Sequence, residues 1–130
     1  MSAESRTLVR YAEPLAVVRL GPGADVPEWA TSATLFSVTA TASETSLVCG
    51  MSGVPTKARK EGPFTAFAVE GTLDFALTGV LSDLLAPLAE EDVSVFTLST
   101  FDTDWILVGS DRADRAEEAW RRSGHDVNPA

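Results

Sequence analysis

The sequence predicts an α+β fold of the ferredoxin-like, split-βαβ kind, with helices packed on one face of an antiparallel sheet, and three observations carry that expectation. Within Glu70 to Val108, Leu77, Leu81, Leu84, Leu85 and Leu88 recur at helical spacing, so the segment has one continuous oily face. The period then switches to two. Val93, Val95 and Thr97 alternate with Ser94, Phe96 and Leu98, the polar cluster Ser99 to Thr103 interrupts, and Trp105 to Val108 resumes the strand pattern. Third, a strand before this stretch and a helix after it make a βαββα order of about 60 residues, and the first half of the chain runs through a shortened version of the same order.

Taken in order, Thr7 to Tyr11 and Leu15 to Leu20 read as short strands around Glu13-Pro14. Gly21-Pro22-Gly23 reads as a plain turn, because no GxxG or GK[ST] continuation follows that would cradle a phosphate. Val26 to Ala30 is expected to make one or two helical turns, with Pro27 in the first and Trp29 as a buried anchor. Thr34 to Ala40 and Thr45 to Cys49 form a hairpin around Ala42-Ser43-Glu44, and Gly50 to Pro63 is a loop whose Lys57, Arg59 and Lys60 read as a solvated face. Phe64 to Val69 restores the strand pattern. A final helix opens at Ser110-Asp111, with Asp111 and Asp114 in its first turn, Arg121 and Arg122 in its last and Gly124 just beyond. Ala113, Ala116 and Trp120 give it one docked face, and Asp111/Arg115, Glu117/Arg121 and Glu118/Arg122 are spaced for i, i+4 ion pairs. The tail from Asp126 to Ala130 is expected to fray. Two modules sharing one compact unit are expected, at residues 1–62 and 63–130.

Composition removes several function classes. Ten Lys plus Arg against 19 Asp plus Glu give a formal charge of −9, which disfavours nucleic acid and anionic membrane surfaces as partners. Cys49 is the single cysteine and His125 the single histidine, so an intramolecular disulfide and a multi-His or multi-Cys zinc site are excluded by count. Cys49 reads as a small buried apolar residue. The N-terminus lacks the apolar core of a signal peptide, and a reduced, cytoplasmic setting is the expectation.

The runs Leu77-Thr78-Gly79-Val80-Leu81, Leu85-Ala86-Pro87-Leu88-Ala89-Glu90 and Val95 to Val108, with Ser99-Thr100-Phe101-Asp102-Thr103-Asp104 at their centre, resemble the second module of small tandem ACT-domain proteins. Those proteins are related to the cytosolic arginine sensor and to the regulatory part of aspartate kinase. Ala16 to Leu20 with Val26-Pro27-Glu28-Trp29, and Phe36-Ser37-Val38-Thr39, resemble the first module, so the likeness runs from about Leu8 to Gly124. Trp105 stands where a tyrosine is more usual. The resemblance implies a non-enzymatic regulatory protein that binds a free amino acid, a cationic one among the candidates. It further implies a homodimer in which helix start and hairpin turn come together from two modules packed side by side, and a downstream enzyme or regulator as partner.

Two places suit such a ligand. At Thr78, Gly79 and Val80 the first amides of a helix have no intrahelical acceptor, so a carboxylate is well received there, although Asp74 or Thr78 acting as a simple cap explains the same residues. At the hairpin turn, Thr100, Phe101 and Asp104 are the expected contacts. Asp102 and Asp104 both offer carboxylates to an amine or guanidinium, although Asp and Thr are ordinary turn residues as well. Asp102 reads as the one in that local role, and by motif position the resemblance ranks Asp104 first. Paired acids also serve acid-base catalysis, but no nucleophile, metal constellation or cofactor loop accompanies them, so neither an enzyme nor a cofactor is expected. The alternative is an ACT-fold dimerisation or protein-interaction module without a small-molecule ligand.

Overall fold

The computed structural model describes residues 5–71, 73 and 78–130; Asp74 and Leu77, which the sequence assigns to the helix entry, lie outside them. In chain order the elements are strands β1 (Thr7–Arg10), β2 (Leu15–Leu20), β3 (Ser37–Ala40), β4 (Thr45–Gly50) and β5 (Lys60–Val69), then helix α1 (Val80–Glu90). Strands β6 (Val95–Ser99) and β7 (Asp104–Gly109), helix α2 (Ala113–Arg122) and strand β8 (Asp126–Pro129) follow. The chain divides into two compact units, Glu13–Phe64 and Thr65–Ala130 with the residues up to Ala12, and the dividing point falls within β5. Grouping residues 1–62 by sequence puts Thr7–Arg10 in the first unit, whereas the strand pairs inside the second.

In the unit Glu13–Phe64, β4 lies between β2 and β3, antiparallel to both, with Val18 opposite Leu47 and Leu47 opposite Val38. Ala16, Val18, Leu47 and Cys49 pack as its core with Ala30, and Trp29, Met51 and Val54 close over them. Burial pushes the Cys49 thiol up, and the nearby charge of Glu13 adds to that, so this cysteine is an apolar filler. The expected helix at Val26–Ala30 is a single turn, closed by the Ala30 amide donating to the Pro27 carbonyl. The next residue explains its end. The Thr31 carbonyl accepts from the Gly50 amide at 2.7 Å, which ties the backbone to β4 instead of a further helical turn.

Glu13 holds the segment that follows. Its carboxylate accepts from the Ser32 hydroxyl at 2.8 Å and the Thr34 amide at 3.0 Å. A Cβ at position 50 would lie 2.7 Å from the same carboxylate and 3.0 Å from the Thr31 carbonyl, which is why glycine stands there.

The other unit arranges its strands β8-β1-β5-β7-β6. β1 runs antiparallel to the end of β5, with Leu8 opposite Val69, and parallel to β8, with Leu8 opposite Val127. Alternate residues Leu8, Phe67, Val69, Ile106 and Val108 share one cluster with Leu84 and Leu88 of α1 and Ala116 and Trp120 of α2, so both helices cover the same face. Leu81 and Leu85 pack partly against this cluster, as the leucine spacing predicts. Trp120 is fully buried, meets Phe67 edge-on at 4.8 Å and donates its indole N–H to the Leu84 carbonyl at 2.7 Å.

Two expectations change here. The tail does not fray: Val127 is buried, and the Asp126 and Ala130 amides donate to the carbonyls of Arg6 and Arg10 at 2.9 Å each. On α2, Glu117/Arg121 and Glu118/Arg122 form as spaced, while Arg115 turns to Glu91 at 3.8 Å.

The Thr34 side chain is the first cause that holds the Glu13 carboxyl below its ordinary value of 4.5, with Ser32 and the Thr34 amide adding to it against an opposing push from burial. A depressed carboxyl pKa gives stability that is present above the unfolded value and is lost as pH falls through the folded one. We predict that Glu13→Gln lowers unfolding free energy by about 1–2 kcal/mol near neutral pH and by progressively less as pH falls below the ordinary carboxyl value of 4.5, measured by urea unfolding at neutral and at acidic pH. An equal cost at both would contradict the assignment.

Candidate functional site

The site lies at the end of the second unit's sheet where α1 begins. α1 opens at Val80, later than the sequence suggests, with Gly79 as its N-cap at φ 81°, a left-handed backbone that glycine adopts without strain. Gly79 has no side chain with which to cap, and it takes the N-cap position that the sequence offers to Thr78. The amides of Val80, Leu81 and Ser82 therefore carry the positive end of the helix macrodipole. The first helical bond runs from the Asp83 amide to the Gly79 carbonyl at 2.9 Å.

Opposite stands the turn between β6 and β7. The Thr100 amide donates to the Thr103 carbonyl at 2.9 Å, and the Thr100 hydroxyl accepts the Thr103 amide at 3.3 Å. The turn is tied to the end of β5 and the chain beyond it. The Thr103 hydroxyl donates to the Val69 carbonyl at 2.8 Å, and the Leu73 amide to the Asp102 carbonyl at 2.7 Å.

Between these walls is a hollow of about 600 Å³ lined, among the described residues, by Gly79, Val80 and Leu81, by Ser99 to Asp104 and by Leu73. Five of the six residues singled out from the sequence line it: Gly79, Val80, Thr100, Phe101 and Asp104. Thr78 is exposed and is not among the lining residues. Helix start and turn come from the same unit, whereas the resemblance brings them together from two modules.

Leu73, Leu81, Ser99 and Thr103, not singled out from the sequence, also line the hollow, as does Asp102, which the sequence ranks behind Asp104. Leu81 reads as an ordinary core leucine, and Ser99 and Thr103 as members of the polar turn. Among the described lining residues the charged groups are Asp102 and Asp104, with no basic side chain. Asp104 accepts from the Ser99 hydroxyl at 2.6 Å. Phe101 is 84% exposed at the rim. Trp105 points elsewhere and meets Tyr11 at 5.3 Å between ring centres. Chemically, the hollow pairs backbone donors for an anion with a carboxylate for a cation, against apolar walls from Leu73, Val80 and Leu81. Among the described residues no group of His, Cys, Asp and Glu is arranged to hold a metal, and no helix is long and apolar enough to cross a membrane.

A family model described as an ACT domain matches residues 60–122, and a model of an N-terminal domain matches residues 13–57. No curated protein matches the chain. Among solved structures, a protein from Agobacterium tumefaciens is 27% identical, with a TM-score of 0.90 over 98% of this chain and 96% of that one. The regulatory subunit of aspartate kinase from Thermus flavus is 8% identical, with a TM-score of 0.64 over 92% of this chain and 99% of that one. Aspartate kinase from Clostridium acetobutylicum, described as an allosteric enzyme, is 10% identical with a TM-score of 0.67, over 90% of this chain and 34% of that one. At the two lower identities the likeness establishes a shared fold.

The turn's placement rests on the Thr103 hydroxyl. Thr103→Val keeps the shape and removes the donor to Val69, and we predict a loss of about 1–2 kcal/mol in unfolding free energy by denaturant titration. An unchanged midpoint would show that the turn is held by other contacts.

Proposed function

We propose that this chain, which carries an ACT domain across residues 60–122, is a non-enzymatic regulatory protein that binds a free amino acid in the hollow between the start of α1 and the β6–β7 turn. The observation that carries this reading is that one hollow is lined both by Gly79, Val80 and Leu81 and by Asp104. A free amino acid bears an anion and a cation on one carbon. Its carboxylate suits the first amides of the helix, which have no intrahelical acceptor, and its ammonium group suits Asp104. Among the described lining residues, two carboxylates without a base disfavour a ligand with an acidic side chain and leave room for a cationic one, paired with Asp102. Leu73, Val80 and Leu81 cover the aliphatic part.

The reading includes a cytoplasmic setting and a homodimer joined through the second units. β6 pairs only with β7 among the described strands, and Val95 and Phe101, 37% and 84% exposed, stand on and beside that open edge. A regulator without a catalytic site of its own passes its signal to a partner enzyme or regulator.

Thermal-shift screening against the standard amino acids tests the ligand, because a molecule that binds only the folded state stabilises it by about 2.7 kcal/mol at about 100 times its Kd. We predict that at least one amino acid raises the midpoint at millimolar concentration, and that Asp104→Asn removes more than half of the shift. If none does so, the interaction-module reading replaces this one, and a pull-down then recovers the same partner with or without amino acids.

For assembly, light scattering is predicted to give about twice the chain mass of 13.8 kDa. A mass of one chain across the micromolar range would remove the dimer from this reading.

A further inference from the structure

We infer that Ser99 is a positioning residue of this site, holding the Asp104 carboxylate in the orientation that receives the ligand's ammonium group. The inference rests on the amino-acid reading of the hollow. Ser99 and Asp104 are the last opposed pair in the β6–β7 ladder, so their side chains leave the sheet on the same face. The Ser99 hydroxyl donates to Asp104 Oδ1 at 2.6 Å, the short length of a hydroxyl on a carboxylate. A hydroxyl has a single proton to give, so the bond fixes one oxygen and leaves Oδ2 for a ligand. Among the described residues no cationic side chain pairs with Asp104. The bond therefore orients the carboxylate without neutralising it, whereas a lysine or arginine in the same place would compete with the ligand.

The other hydroxyls of the turn have separate duties. The Thr100 hydroxyl is engaged with the Thr103 backbone, and the Thr103 hydroxyl donates to the Val69 carbonyl. Nor does the hairpin need Ser99 for closure. Five opposed pairs from Val95/Val108 to Ser99/Asp104 set the register, and the Thr100 amide donating to the Thr103 carbonyl closes the turn. Among the described residues no side chain braces Asp102 in this way, which distinguishes the two carboxylates in one hollow.

The experiment measures Kd for the standard amino acids, by thermal shift and calorimetry, on the full chain and on Ser99→Ala, Ser99→Thr, Asp104→Asn and the Ser99→Ala/Asp104→Asn double variant. We expect Ser99→Ala to weaken the best-binding amino acid about tenfold and to leave the unliganded midpoint almost unchanged. Ser99→Thr keeps the hydroxyl and should restore affinity. In the Asp104→Asn background, Ser99→Ala should add nothing, because the residue acts through that carboxylate. Unchanged affinity in Ser99→Ala, or a full additional loss in the double variant, overturns the inference while the amino-acid reading stands. If the unmodified chain binds none of the amino acids, that reading fails and this inference falls with it.

Discussion

The hollow depends on one constraint: the β6–β7 turn is hydrogen-bonded to the end of β5 and to the chain leaving it. Thr103 reaches the Val69 carbonyl through its side chain, and Leu73 reaches the Asp102 carbonyl through its amide. A polar turn of Thr, Phe, Asp and Thr has little apolar area with which to dock itself, so these bonds decide where it sits. They bring the turn's carboxylates to the side of the unit where α1 starts. Without them the helix start would be an ordinary solvated end and Asp104 an ordinary turn acid.

The rigid frame behind that constraint is apolar. Leu84, Leu88, Phe67, Ile106 and Trp120 are fully buried in one cluster, and the indole N–H of Trp120 satisfies the Leu84 carbonyl within α1. That bond couples the two helices and sets α1 against the sheet. Burial of aromatic and aliphatic area supplies stability, and the hydrogen bond fixes direction. The first amides of α1 therefore point at a fixed place. Preorganised donors of this sort bind an anion without the entropy cost of ordering flexible side chains.

Much of this was legible in the sequence. The leucine spacing of α1, the alternation in β6 and β7 and the Ala113, Ala116, Trp120 face of α2 are local patterns, and local patterns survive folding because each element buries one face. Gly79 and Asp104 stood out as a helix start and a turn acid. Partners set by distant pairing were not legible. Asp126-Val-Asn-Pro reads as a polar tail until β1 lies beside it in parallel, and the Val26–Ala30 turn ends where Thr31 bonds to Gly50, a residue from another strand. Ser99 reads as the first residue of the polar turn, and only the β6–β7 register puts its hydroxyl on Asp104. Thr78 fell the other way: its residue type suits a cap, but Gly79 takes that position.

In the proposed complex one hollow receives both ends of one small molecule. Backbone amide NMR during titration with a mixture of the standard amino acids tests it most directly. The account predicts that the resonances that move are those of Val80, Leu81 and Ser82 together with those of Thr100 to Asp104, with one common saturation curve. Movement at the helix start without the turn, separate curves for the two, or changes confined to other strands would contradict it.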